Sequence, residues 1–273
     1  MFNSVVVPLD LSTAGDRALP IARSLARLGG LPIELLAVVP PDPVGAPGRG
    51  WLEDVDDHVR KHALGPHTTT VLEHDRPGMA IAEHVSGRHG ALVVMATTAK
   101  AAIDDAYAGS VSEYVLSTLR QPVLLVGPHV DVDRGLASPT LVTGVDGSGL
   151  ATVALPVIVS WTRTFGGGAP SFVEVIPFVP AIAERAGRPV EAAHVREYVD
   201  RLATFGIDGG GDVVYGEDAA IALAEHAEQV QDAVLVVTAE RWAGAGTHWH
   251  STRRKLAFRS SRPVLVVPAD LAG

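Results

Sequence analysis

Apolar residues fall along this chain in short, dense runs separated by longer mixed stretches. Val5–Leu9, Ile33–Val39, Ala91–Ala96 and Val123–Gly127 are such runs. Val5–Leu9 is continuous, which predicts a strand buried on both faces, unlike the alternation of a half-exposed sheet. A weaker strand is predicted at about Thr68–Leu72. Between the strands, Ser12 predicts a helix N-cap, with the helix running to about Leu28 and stopped by Gly29-Gly30. Pro20 falls inside that helix and should kink it. Further helices are predicted over Leu52–Leu64, Gly78–Arg88 and Ser110–Leu119.

The second half runs through the same order. Strands are predicted at Leu141–Val145, Ser171–Ile176, Asp212–Tyr215, Ala233–Thr238 and Val264–Val267, with helices between them, one over about Val190 to Thr204. His129–Ser138 is the linker. The runs Gly166–Gly168 and Gly209–Gly211 lack the Lys-Ser/Thr of a phosphate-binding P-loop and are read as connections. Strands alternating with helices predict an α/β protein: parallel sheets, five strands in each half, sandwiched by helices. Ligands of such sheets bind beyond the carboxyl ends of the strands, where the strand order reverses.

The parallel between the halves extends to residue identity. Val7-Pro8-Leu9-Asp10 is answered by Thr143-Gly144-Val145-Asp146, 136 residues later, and Ala18-Leu19-Pro20-Ile21 by Ala154-Leu155-Pro156-Val157 at the same offset. Gln121-Pro122-Val123-Leu124 is answered by Arg262-Pro263-Val264-Leu265. The chain therefore reads as a duplication, with domains at 1–128 and 139–269. Differences between the copies show which ancestral site kept its equipment.

Composition narrows the function classes. The net charge of −9 argues against a nucleic-acid partner, because neutralising a phosphate backbone requires an excess of Lys and Arg. With no cysteine, disulfides and thiolate metal sites are excluded. No apolar run has the length of a membrane span, and a strand begins within five residues of Met1, leaving no room for a leader. A cytoplasmic protein is expected. His58 and His62 are spaced to share one helix face with Asp54, but the helix is polar, and a solvated face is the expectation; His248 and His250 read the same way. No hydrolytic triad is apparent.

At the carboxyl ends of the strands stand Pro8 and Asp10, then Val38, then Ala96, while Gly109-Ser110-Val111 opens the last helix of the first half. A helix start offers free N–H groups and partial positive charge to a phosphate, and Ser110 adds a hydroxyl. This set resembles the universal stress protein family. Its nucleotide-binding members carry an Asp after the first strand, a Val ending the second and a G-x2-G-x9-G-[ST] motif after the fourth. The resemblance implies two tandem adenine-nucleotide-binding-type domains and a stress-response regulator, not an enzyme. It further implies ATP or AMP as ligand, with Mg²⁺ a possible companion of ATP. Asp10 and Val38 would then hold the nucleoside, and Pro8, Ala96, Ala99, Gly109, Ser110 and Val111 would complete the site.

The motif departs from the family at Ala96-Thr97-Thr98-Ala99, where two glycines are alanine. In the second half, Arg241 and His250 replace glycines, so a ligand is expected in domain 1 alone. Family members pair through their last strands, which implies an intrachain pseudo-dimer through Val123–Val126 and Val264–Val267; a homodimer of chains is left open, as is the protein partner. Two rival readings are an interaction scaffold that binds no nucleotide and a nucleotide-using enzyme.

Overall fold

β1 (Ser4–Leu9), β2 (Ile33–Val39), β3 (His67–Glu73), β4 (Ala91–Ala96) and β5 (Val123–Val126) form the first half of the sheet. The computed structural model describes residues 1–41, 49–62, 64–97, 111–176, 193–239 and 252–271. Helices α1 (Ala18–Gly29), α2 (Arg49–Arg60), α3 (Pro77–Ser86) and α4 (Val111–Thr118) cover these strands. The second half repeats the plan with β6 (Thr140–Val145), α5 (Ala151–Phe165), β7 (Ser171–Ile176), α6 (Ala193–Ala203), β8 (Gly210–Tyr215), α7 (Ala219–Glu228), β9 (Ala233–Ala239), α8 (Thr252–Arg259) and β10 (Val264–Pro268).

All ten strands join one sheet in the order β3-β2-β1-β4-β5-β10-β9-β6-β7-β8. Pairing is parallel within each half. It turns antiparallel only at the junction, where Leu124 faces Leu265 and Leu125 faces Val264. Each half would otherwise end in a short, wholly apolar edge strand, and pairing the two edges removes both. One face is covered by α1, α2, α5 and α6, and the other by α3, α4, α7 and α8. On the first face Phe2 crosses the junction. Its ring stacks on Phe165 at 5.5 Å and meets Trp161 edge-on at 6.2 Å, and its N–H donates to the Ser160 hydroxyl at 3.1 Å.

Three details differ from the pattern reading. Ser12 does not cap a long helix. Its hydroxyl donates to Asp10 and accepts from the Gly15 N–H, and a 3-10 turn at Gly15–Arg17 leads into α1. Pro20 thereby lies in the first turn of α1, where its missing N–H has no intrahelical acceptor to lose. The matching Pro156 does sit inside α5. Gly210 and Gly211 are strand, not connection: a Cβ at Gly211 would stand 2.1 Å from Val195 Cγ1, so glycine lets α6 pack directly on β8. Gly166 and Gly167, with φ of +70° and +107°, do form the expected connection after α5.

Candidate functional site

Strand order reverses between β1 and β4, because the chain runs outward through β2 and β3 before returning. β1 and β4 are hydrogen-bonded only from Ser4↔Ala91 to Val6↔Val93. Beyond Val6 they part, and Pro8 costs that side no ladder bond. The gap opens into a cleft of about 280 Å³ lined by Pro8, Asp10, Val38, Ala96 and Val111, with Ile81 and Met95 among its apolar walls. Five of the eight residues singled out from the sequence thus converge. Ala99, Gly109 and Ser110 lie outside the described residues. Pro77, Gly15 and Ser112 also line the cleft; the sequence reading did not select them, because nothing local distinguishes them from ordinary turn and helix residues.

Asp10 is positioned by its own turn. Its Oδ1 accepts from the Ser12 N–H at 3.0 Å and the Ser12 hydroxyl at 2.6 Å. Leu11, between them, takes φ +56°, a left-handed conformation that costs a branched residue about 1–2 kcal/mol. Gly15 is required for a different reason: a Cβ there would lie 2.3 Å from Asp10 Oδ1. Strain and close approach at the lip of a cleft point to a site whose geometry is held in place.

Domain 2 builds the same site around a smaller cleft. Asp146 accepts from the Ser148 N–H at 3.0 Å, and Gly147 takes φ +72° without the strain of Leu11. The cleft there measures about 140 Å³ and is lined by Gly144, Asp146, Val175, Leu223, Thr238 and Leu256 among others. Gly144 occupies the place of Pro8. The Leu223 side chain packs against it, 2.8 Å from where a Cβ would be.

Beside the domain 1 cleft is a cluster that the polar pattern of α2 concealed. Asp16 in the 3-10 turn is buried, with a side chain 7% exposed. His58 Nε2 lies 2.6 Å from its Oδ1, while Lys61 Nζ and His62 Nε2 each lie 3.3 Å from Oδ2. The expected solvated face for His58 and His62 is therefore wrong: both turn inward, onto Asp16 and not Asp54. Burial pushes the Asp16 carboxyl up, but hydrogen bonds from His58 and Lys61 outweigh it and hold the group below its ordinary value. A second buried carboxylate, Glu34, accepts from Thr70 at 2.7 Å, contacts His84 at 2.9 Å and pairs with Arg88. Its burial is likewise outweighed, first by Thr70, so it too stays below its ordinary value. Among the described residues no group of three or more His, Asp or Glu has an arrangement that could hold a metal ion. No described helix is long and apolar enough to cross a membrane.

The fold and cleft define a doubly wound α/β protein with a ligand-type crevice at the switch point of each half. Residues 1–127 match the model of the universal stress protein family. The first half of the chain therefore belongs to that family, and the second half shares its strand order. By fold the chain is similar to a universal stress protein of Archaeoglobus fulgidus DSM 4304, with 19% identity, 97% of this chain and 96% of that chain covered, and a TM-score of 0.66. It is also similar to a candidate universal stress protein of Pseudomonas aeruginosa UCBPP-PA14, with 14% identity, coverage of 98% and 93%, and a TM-score of 0.58. The cytoplasmic domain of a prokaryotic cation chloride cotransporter has the same fold too, with 12% identity, coverage of 98% and 96%, and a TM-score of 0.51. No curated protein matches the chain's sequence. The fold is thus used by proteins of different roles, and function has to be argued from the site.

Proposed function

We propose that this protein is an adenine-nucleotide-binding stress-response regulator, a tandem universal stress protein whose domain 1 holds AMP or ATP and whose domain 2 does not. The observation that carries this reading is the inequality of the two clefts: about 280 Å³ around Asp10 and about 140 Å³ around Asp146. The larger is near the lower end of the roughly 300–1,000 Å³ of small-molecule sites. It combines apolar walls from Val38, Ile81 and Met95, suited to a flat base, with one carboxylate that can accept from ribose hydroxyls. Val111 and Ser112, the first residues of α4, line the cleft, and a helix N-terminus favours phosphate. The protein acts by holding the nucleotide, without turnover. Mg²⁺ would enter only with ATP.

One observation favours the rival scaffold reading: Ala96 lines the cleft where the family pattern has glycine. A calorimetric titration with AMP and ATP, alongside an assay for released phosphate, separates the readings. Binding without phosphate release supports the regulator. No heat with either nucleotide supports the scaffold, and steady phosphate release would mean an enzyme.

A further inference from the structure

The duplication supplies an internal control for the Asp16 cluster. Asp16 corresponds to Thr152 at the offset that relates Asp10 to Asp146. The buried Val55 of α2 matches the buried Val195 of α6, which places Tyr198 opposite His58, Arg201 opposite Lys61 and Leu202 opposite His62. In domain 2 these positions form ordinary packing. Tyr198 stacks on Phe172 at 5.3 Å, Leu202 is fully buried, and Arg201 donates to the Thr152 hydroxyl at 2.9 Å. The same fold therefore stands without the carboxylate or the imidazoles. Domain 1 instead desolvates an acid and two bases, which apolar packing would avoid.

The cluster is also wired to the cleft. The Asp16 N–H donates to the Ser12 carbonyl at 3.0 Å. Ser12 holds Asp10 through both its N–H and its hydroxyl, and Gly15, next to Asp16, touches the Asp10 carboxylate. Whatever draws Asp16 toward α2 sets the place of the Asp10 turn. We propose that Asp16, His58 and His62 form a proton-sensitive clasp that positions Asp10, so that the affinity of the domain 1 cleft for a nucleoside rises as pH falls from 8 to 6. Asp16 is a positioning residue here, and the inference rests on domain 1 being a nucleoside site.

The sign follows from the charges around Asp16. α2 and the turn after it present His58, Lys61 and His62; from α1, Arg23 reaches only the His62 carbonyl, at 3.0 Å. Arg17 points away, donating to the Gly127 and Val130 carbonyls. Histidine is the side chain that gains charge between pH 8 and 5. A proton added at Nδ1 of His58 leaves Nε2–H on the Asp16 carboxylate and turns a hydrogen bond from a neutral ring into an ion pair with the same geometry, which adds Coulombic attraction to it. Asp16 itself, held below its ordinary value, stays ionised through this window. Ligand binding then takes up protons, and by linkage the ligand affinity rises as pH falls.

Adenosine is the probe, because it carries no phosphate to titrate in this range. Its dissociation constant is measured at pH 8 and pH 6 for the wild type and for the triple variant Asp16→Thr, His58→Tyr, His62→Leu, which copies the residues domain 2 already packs. The expected result is tighter binding at pH 6 than at pH 8 in the wild type and a flat profile in the variant. A flat wild type overturns the clasp. So does a variant that keeps the slope, since His74 and His84 remain in it. If adenosine, AMP and ATP all fail to bind, the nucleotide reading fails, and hydrogen exchange then tests the clasp alone. Corrected for intrinsic rates, amides 12–17 should gain protection from pH 8 to 6 in the wild type only. Equal behaviour of the two proteins would refute the clasp.

Discussion

The Gly15 Cα stands so close to Asp10 that a Cβ on it would lie 2.3 Å from the carboxylate Oδ1. The acid at the lip of the domain 1 cleft is thus fixed from two sides, by the Ser12 hydrogen bonds and by a residue with no side chain. Gly15→Ala should push Asp10 out of place while leaving the buried strands untouched. Adenosine or AMP affinity should fall about tenfold, equivalent to about 1.4 kcal/mol, with little change in melting temperature. Unchanged affinity would show that the placement of Asp10 does not matter for binding.

Ala96 and Ala99 stand where the family motif has glycines, and the resemblance puts these positions beside the phosphates. Ala96→Gly with Ala99→Gly removes two methyl groups and frees the backbone to approach a polyphosphate. ATP should gain on AMP by roughly tenfold, about 1.4 kcal/mol, in competitive titration. An unchanged ratio would separate these alanines from phosphate choice.

How much of this was legible beforehand depended on the range of the interaction. The strand runs and the duplication are local or near-repeating signals, and β2 appears at Ile33–Val39 as its apolar run predicts. The cleft was legible because topology alone brings Pro8, Asp10, Val38 and Ala96 to one end of a doubly wound sheet. The Asp16–His58 contact spans 42 residues, and α2 is polar enough that its inward histidines look like a solvated face. The packing of Leu223 on Gly144 was hidden likewise, because the fold alone brings the two together.

Acid sensitivity should trace to the two buried carboxylates. Asp16 and Glu34 are held below their ordinary values of 3.8 and 4.5. A depressed folded-state pKa contributes stability that is complete above the ordinary value and is lost as pH falls through the lower, folded one. Urea midpoints should therefore be flat with respect to these groups from pH 7 to about 5 and drop below 4.5. Glu34→Gln should shrink that acid-side drop and cost about 1–3 kcal/mol at pH 7, since Arg88 and His84 lose a partner. An acid-side drop identical in the variant would remove Glu34 from the account.

The junction predicts one cooperative unit. Trp161 is fully buried, packs on Phe2 and Phe165, and donates to the Pro139 carbonyl at 3.3 Å. Trp161→Ala should cost about 3–5 kcal/mol and lower the stability of both halves together in denaturant. Two separated transitions, with domain 1 unaffected, would show that the shared sheet does not couple them.

The central claim is one nucleotide per chain, held in domain 1. The most direct measurement is the stoichiometry of AMP binding by calorimetry for the wild type, Asp10→Ala and Asp146→Ala. The account predicts a stoichiometry near one, affinity lowered about ten- to a hundredfold by Asp10→Ala through loss of a charge-assisted hydrogen bond of about 1.5–3 kcal/mol, and no change with Asp146→Ala. A stoichiometry near two, or binding lost with Asp146→Ala and kept with Asp10→Ala, would contradict it.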